Sequence, residues 1–176
     1  MSKIAKLLSF IRLTRNDVKI SDVKIDPGGG PNVTAEHFAP AGDDAHPLTT
    51  DYVIATDTQR SGGAAVVGYL DPINEPKAMP GDKRIYARDA DTGAVVVDVW
   101  LKNDGKAITE NSNGSSTLNP DGSIKGTNVN GSFELQAGGD FVVNGVTIKA
   151  NGDVIVPSSL VLNGKELDGH THPITW

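Results

Sequence analysis

Two histidines, His170 and His172, stand one residue apart in "DGHTHPITW" and are the clearest candidates for chemistry in this sequence. In an extended strand, residues i and i+2 project from the same face, so both imidazoles point one way while Thr171 points the other. Neutral imidazole is the commonest protein metal ligand, and two side by side make a bidentate unit. Two ligands do not fill a coordination sphere. Only "PITW" follows in this sequence, with no Glu, Asp or third His among those residues. The missing ligands are expected to come from other chains. Three copies around an axis bring six imidazoles, enough for an octahedron around one ion on that axis. Imidazole suits Fe, Ni, Cu or Zn better than Mg or Ca. Zinc favours four ligands, so six nitrogens favour iron.

The elements that would deliver such a strand are β-rich. Turn dipeptides recur beyond residue 104: Asp104-Gly105, Asn113-Gly114, Asp121-Gly122, Asn130-Gly131, Gly138-Gly139, Asn144-Gly145, Asn151-Gly152, Asn163-Gly164 and Asp168-Gly169. The first four steps are 9, 8, 9 and 8 residues, and then the period loosens. Asn-Gly and Asp-Gly suit tight hairpin turns because both residues tolerate positive φ. Short alternating pieces lie between them. "SFELQA" sets Phe133, Leu135 and Ala137 on one face, and "VTIKA" does the same with Val146, Ile148 and Ala150. A turn every eight or so residues marks a β-solenoid or β-prism. Residues 1–104 carry 27 charged residues and residues 105–176 carry 11, while eight of the 12 Asn fall in the second part. Such a segment has little core of its own, so its apolar stripes must meet something. Winding three copies together supplies a shared core, and an obligate homotrimer is expected. A dimer would also cover the stripes; the histidine pair favours three.

Upstream, residues 16–104 read as a barrel. "DVKISDVKI" alternates, with Val18 and Ile20 on one face and Val23 and Ile25 on the other after a bulge. "NVTAEHFA", "YVIAT", "AAVVGYL", "DKRIYAR" and "GAVVVDVW" follow, each bounded by Gly, Pro or Asp clusters. Five or six short strands suit a small OB-fold-like barrel, in which closure removes the sheet edges; a sandwich needs more strands. Residues 1–15 place Ile4, Leu7, Leu8 and Ile11 on one helical face ringed by Lys3, Lys6, Arg12 and Arg15, which predicts a short helical arm. The apolar core "LLSFI" is too short for a secretory signal, and no Sec export is expected.

Composition narrows the function classes. The net charge of −6 argues against nucleic acid, since phosphate contacts demand clustered Lys and Arg. There is no cysteine, so thiolate metal sites and disulfides are ruled out. No Gly-x-Ser-x-Gly elbow, Walker-type loop or His-Glu-x-x-His occurs, and "PGGGPN" lacks the Lys-Ser/Thr and helix of a phosphate loop. Asp43-Asp44 reads as solvated, and His37 and His46 as structural or exposed. No catalytic constellation emerges, and an enzyme is not expected.

An N-terminal β-barrel, a Gly/Asn-rich repetitive tail and "GHTHP" together resemble the central baseplate spikes of contractile-tailed phages and related injection machines, including Mu-like phages and R-type pyocins. The resemblance covers the layout of most of the chain; only "GHTHP" is motif-grade. It implies a non-enzymatic, all-β homotrimer, with an OB-fold collar (16–104) seated on the baseplate hub protein. An intertwined triple-stranded β-helix or β-prism (105–165) would taper to an apex tip (166–176). His170 and His172 of three chains would bind one iron ion, Fe2+ or Fe3+, per trimer. Sheath contraction would drive the tip through a bacterial outer membrane. The expected location is the virion tail baseplate, or an extracellular injection particle, assembled in the host cytoplasm. The alternative is a trimeric receptor- or glycan-binding tail fibre or adhesin.

Overall fold

The computed structural model describes residues 2–40, 42–58, 63–157, 161–162 and 165–166. The chain is all-β, with no helix among the described residues. It divides into two compact units, one of residues 1–76 and 88–95, the other of 77–87 and 96–176.

The first unit is a closed barrel. Its strands are β1 (Ser2–Arg15), β2 (Val18–Asp26), β3 (Val33–His37), β4 (Tyr52–Asp57) and β5 (Ala64–Leu70), in the order β1-β2-β3-β5-β4. The long β1 closes it by pairing with β2 along Lys6–Arg15 and with β4 along Ser2–Lys6. A two-residue turn joins β1 to β2, with Asn16 and Asp17 at φ 50° and 62°, the left-handed pair that matches strand twist. β3 and β5 run parallel. Leu7, Val23, Ile25, Val53 and Val66, with small alanines between them, fill the interior.

The helical arm expected over 1–15 is instead a barrel strand. The register slips between Leu7 and Ser9, leaving Leu8 as an extra residue, so Ala5 and Leu7 face inward before the slip and Phe10 after it. Such a bulge breaks the period of two, and inward positions at 5, 7 and 10 imitate helical spacing. Ile4 and Ile11, assigned to the buried helical face, are exposed. β2 itself pairs without interruption, so the bulge expected there belongs to its partner.

"DKRIYAR" and "GAVVVDVW" also depart from expectation. They form β6 (Lys83–Arg88) and β7 (Val95–Leu101), the first strands of a separate nine-stranded sheet and not part of the barrel. Arg84 pairs with Asp98, both nearly buried, which ties these two strands across their shared face. Arg88 lies in the barrel unit, where it pairs with the fully buried Asp51 at 2.6 Å and with Asp71 at 3.1 Å.

The sheet continues as a meander: β8 (Ala107–Asn111), β9 (Gly114–Leu118), β10 (Ile124–Asn128), β11 (Gly131–Leu135), β12 (Phe141–Val143), β13 (Val146–Ile148) and β14 (Val154–Ile155). From β7 to β14 each strand pairs antiparallel with the next, so one chain forms a single layer and not a solenoid coil. A last pair, β15 (Val161–Leu162) and β16 (Lys165–Glu166), forms a separate two-stranded ladder.

Candidate functional site

The turns of the meander alternate in kind. At one end of the strands lie four identical loops. In each, the residue after the strand donates to and accepts within the loop: Lys102 N–H to the Lys106 carbonyl, Asn119 to Ser123, Gln136 to Asp140 and Lys149 to Asp153. A glycine near φ +90° closes each one; Gly122 sits at 84° and Gly139 at 91°. Only glycine adopts this geometry without strain. At the other end are two-residue turns, Ser112-Asn113, Val129-Asn130 and Asn144-Gly145, between paired strand ends.

This alternation fixes the register of every strand. Residues directly opposite in an antiparallel ladder share a face. One row can therefore be traced across the sheet: Leu101, Ala107, Leu118, Ile124, Leu135, Phe141, Ile148, Val154. Every member is apolar. The next row on that face runs Val99, Thr109, Ser116, Gly126, Phe133, Val143, Val146. Gly126 is buried because the Phe133 ring lies where its Cβ would be.

The apolar face is open. Apart from Ala107, the first row is 36–61 % exposed in a single chain. The opposite face carries Thr117, Lys125, Glu134 and Thr147, and most of its row (Trp100, Ile108, Thr117, Glu134, Val142, Thr147) is better covered. A half-solvated antiparallel sheet ordinarily covers its apolar side; here the order is reversed. A contiguous exposed apolar strip this long is uncommon on a monomeric protein.

The sheet also narrows. Strands β8–β11 have five residues, β12 and β13 three, and β14 two. At roughly 3.4 Å per residue the width falls from about 17 Å to about 7 Å, while eight strand-to-strand steps span about 40 Å. The loosening turn period seen in the sequence is this shortening of the strands.

His170 and His172 lie outside the described residues. Of the other two histidines, His37 packs its ring against Phe10 and Tyr69, with centroids 5.6 and 5.0 Å apart, and His46 lies 4.4 Å from Phe10. Burial lowers the pKa of His37, with Asp43 opposing the shift. Burial also raises the Tyr69 hydroxyl, helped by the nearby Asp51 carboxylate. This cluster is structural packing beside the barrel core. Asp44 is exposed and pairs with Arg12 at 2.7 Å. Among the described residues no group of three or more His, Asp or Glu side chains could hold a metal.

Sequence reasoning grouped Phe133 with Leu135 and Val146 with Ile148, and all four share the apolar face; Ala137 and Ala150 fall in loops. It missed Leu101, Leu118, Ile124 and Phe141. A signal for them exists: an apolar residue, three residues, glycine, one residue and an apolar residue again, as in "LNPDGSI" and "LQAGGDF". No model of a known protein family matches this chain, and no curated protein matches it.

Proposed function

We propose that this chain is the central spike of a contractile injection apparatus, of the phage-tail or R-type pyocin kind. It would work as a homotrimer and pierce a bacterial outer membrane without enzymatic action. The observation that carries the reading is the continuous apolar row on the exposed face of a tapering sheet. Three such sheets, each turning this face to a common axis, bury the three rows in one core and make a prism that narrows along its length. An alternative partner would have to match one straight row of eight residues in register; two further copies of the same chain do so by symmetry.

The barrel supports a collar. Five strands close into a small barrel, the long first strand pairing with both β2 and β4, and a small closed barrel suits the OB-type collar proposed here. In the spike this collar would sit on the baseplate hub. Force along the axis is borne by the shaft, because strands held in continuous ladders on a shared core separate only when many contacts break together. His170 and His172 of three chains would hold one iron ion at the tip, tying the chains where strands are too short to pack.

Two measurements test the reading. Light scattering of the purified chain should give three times the monomer mass, and elemental analysis should give one iron per three chains. H170A/H172A should lose the metal and keep the trimer. A monomer in dilute buffer overturns the proposal. A trimer without stoichiometric metal removes the tip clamp, and a metal-free trimer that binds surface glycans favours a tail fibre instead.

A further inference from the structure

Asn-Gly junctions lose their side-chain amide spontaneously, and Asn is thermolabile for this reason. The glycine nitrogen gives up its proton to base and attacks the Asn Cγ. The bond from Cγ to the side-chain nitrogen breaks, ammonia leaves and a five-membered imide closes. Water then opens the imide at either carbonyl, giving Asp or isoaspartate. The described residues hold four such junctions, at 113–114, 130–131, 144–145 and 151–152. Two of the glycines are fixed by packing: a Cβ on Gly114 would strike the Thr127 carbonyl oxygen, and one on Gly131 would strike the Asn144 side chain.

At those two junctions the motif Asn-x-Asn-Gly repeats, as "NSNG" and "NVNG". Asn111 Oδ1 accepts the N–H of Asn113 at 2.8 Å and of Gly114 at 3.1 Å. Asn128 Oδ1 accepts from Asn130 at 2.8 Å and from Gly131 at 3.0 Å. We propose that Asn111 and Asn128 are built-in protectors that suppress imide formation at Asn113 and Asn130. The bond ties each glycine N–H to the side-chain oxygen of the Asn three residues earlier, so the nitrogen must break that bond before it is free to attack the neighbouring Cγ. It also stabilises the protonated amide, and so opposes the first step.

The other two junctions are held by different bonds. Asn144 Oδ1 accepts the Ser132 N–H at 2.8 Å, which pins the Cγ that would be attacked. Gly152 N–H donates to the Lys149 carbonyl at 2.9 Å, and Asn151 Nδ2 donates to Asp153 at 2.8 Å. Neither depends on Asn111 or Asn128, which makes Asn151 an internal reference. The inference needs only the hydrogen bonds of one chain, so it stands or falls separately from the spike reading.

The test is prolonged incubation of the full chain in mildly alkaline buffer, followed by peptide mapping for amide-to-acid mass gain and isoaspartate. Asn111→Ala should raise conversion at Asn113 about tenfold, the scale of one lost hydrogen bond, with Asn151 unchanged. Asn111→Asp keeps the acceptor and should hold the wild-type rate. The proposal is overturned if all three proteins convert alike, or if the Asp variant rises with the Ala variant. It is equally overturned if Asn151 accelerates in parallel, because protection would then come from the sheet as a whole. Asn128→Ala and Asn128→Asp repeat the test at Asn130, and carry it alone should the first pair not fold.

Discussion

Replacing Leu135 with Asp should dissociate the proposed trimer while leaving each chain folded. Leu135 sits mid-row on the open face and is 40 % exposed in one chain. Fully burying a leucine is worth about 1.5–3 kcal/mol, so covering the remaining fraction contributes about 0.6–1.2 kcal/mol per chain. Across three chains the substitution removes roughly 2–4 kcal/mol of association free energy. The three new carboxylates cost more, at several kcal/mol for each charge taken into an unpaired, water-poor core. The sum exceeds about 10 kcal/mol per trimer, more than seven decades in the association constant. Within one chain the position already faces water, so the monomer should keep its circular dichroism spectrum. Thr117→Asp is the control: Thr117 lies on the opposite face, directly across from Lys125. Sedimentation velocity reads both variants. Leu135→Asp at trimer mass, or dissociation by both variants alike, would refute the assignment of the inner face.

Three further outcomes follow from particular contacts. Arg88→Met removes the positive charge from Asp51 and Asp71 beside the barrel core, leaving them neutral donors such as the Leu48 and Ile73 N–H groups, and should cost about 3–5 kcal/mol in urea unfolding, as a broken buried pair does; adding Asp51→Asn should recover part of the loss. Gly126→Ala sets a methyl group against the Phe133 ring and should destabilise the sheet by about 1–3 kcal/mol in the same assay, the usual cost of overpacking. For pH, His37 has a folded pKa below its unfolded value, so the unfolded chain binds the proton more readily. Stability is therefore full above about pH 6.5 and declines as pH falls toward the folded pKa. His37→Gln should flatten the dependence of the melting temperature across that window, and an unchanged slope would contradict the assignment.

The places where the sequence was legible share a property: their signals are local. Turn dipeptides such as Asp121-Gly122 specify a loop by their own backbone preferences, and the strand between two turns is then fixed in place. Phe133 and Leu135 face the same side because they alternate within one short strand, a relation that sequence alone carries. Non-local choices were hidden. Nothing in "GAVVVDVW" says which sheet it joins, because strands of the barrel and of the nine-stranded sheet alternate alike; the Arg84–Asp98 pair that ties β7 to β6 joins residues 14 apart in sequence. The first strand was obscured for a different reason. Its bulge at Leu8 shifts the inward set by one residue, so a strand took on the spacing of a helix.

In the proposed trimer, the taper sets how firmly three chains can hold one another. In β8–β11 each strand places three residues on the inner face; in β12 and β13, two; in β14, one. In the proposed trimer the number of inward positions per strand therefore falls threefold from β8 to β14, and with it the contacts and ladder hydrogen bonds that each strand can make, although β12 and β13 fill both of theirs with apolar side chains. The ordering cost does not fall in step, since the loops at 119–123, 136–140 and 149–153 keep their length while the strands shorten, and each loop residue still costs about 1–2 kcal/mol to order. In the proposed spike, a point narrower than β14 would need bonds stronger per residue than dispersion. Metal–imidazole bonds shared among chains meet that requirement without adding width. On this argument the clamp belongs where the strands become too short to pack, and loss of His170 and His172 should fray the tip while the five-residue strands stay assembled.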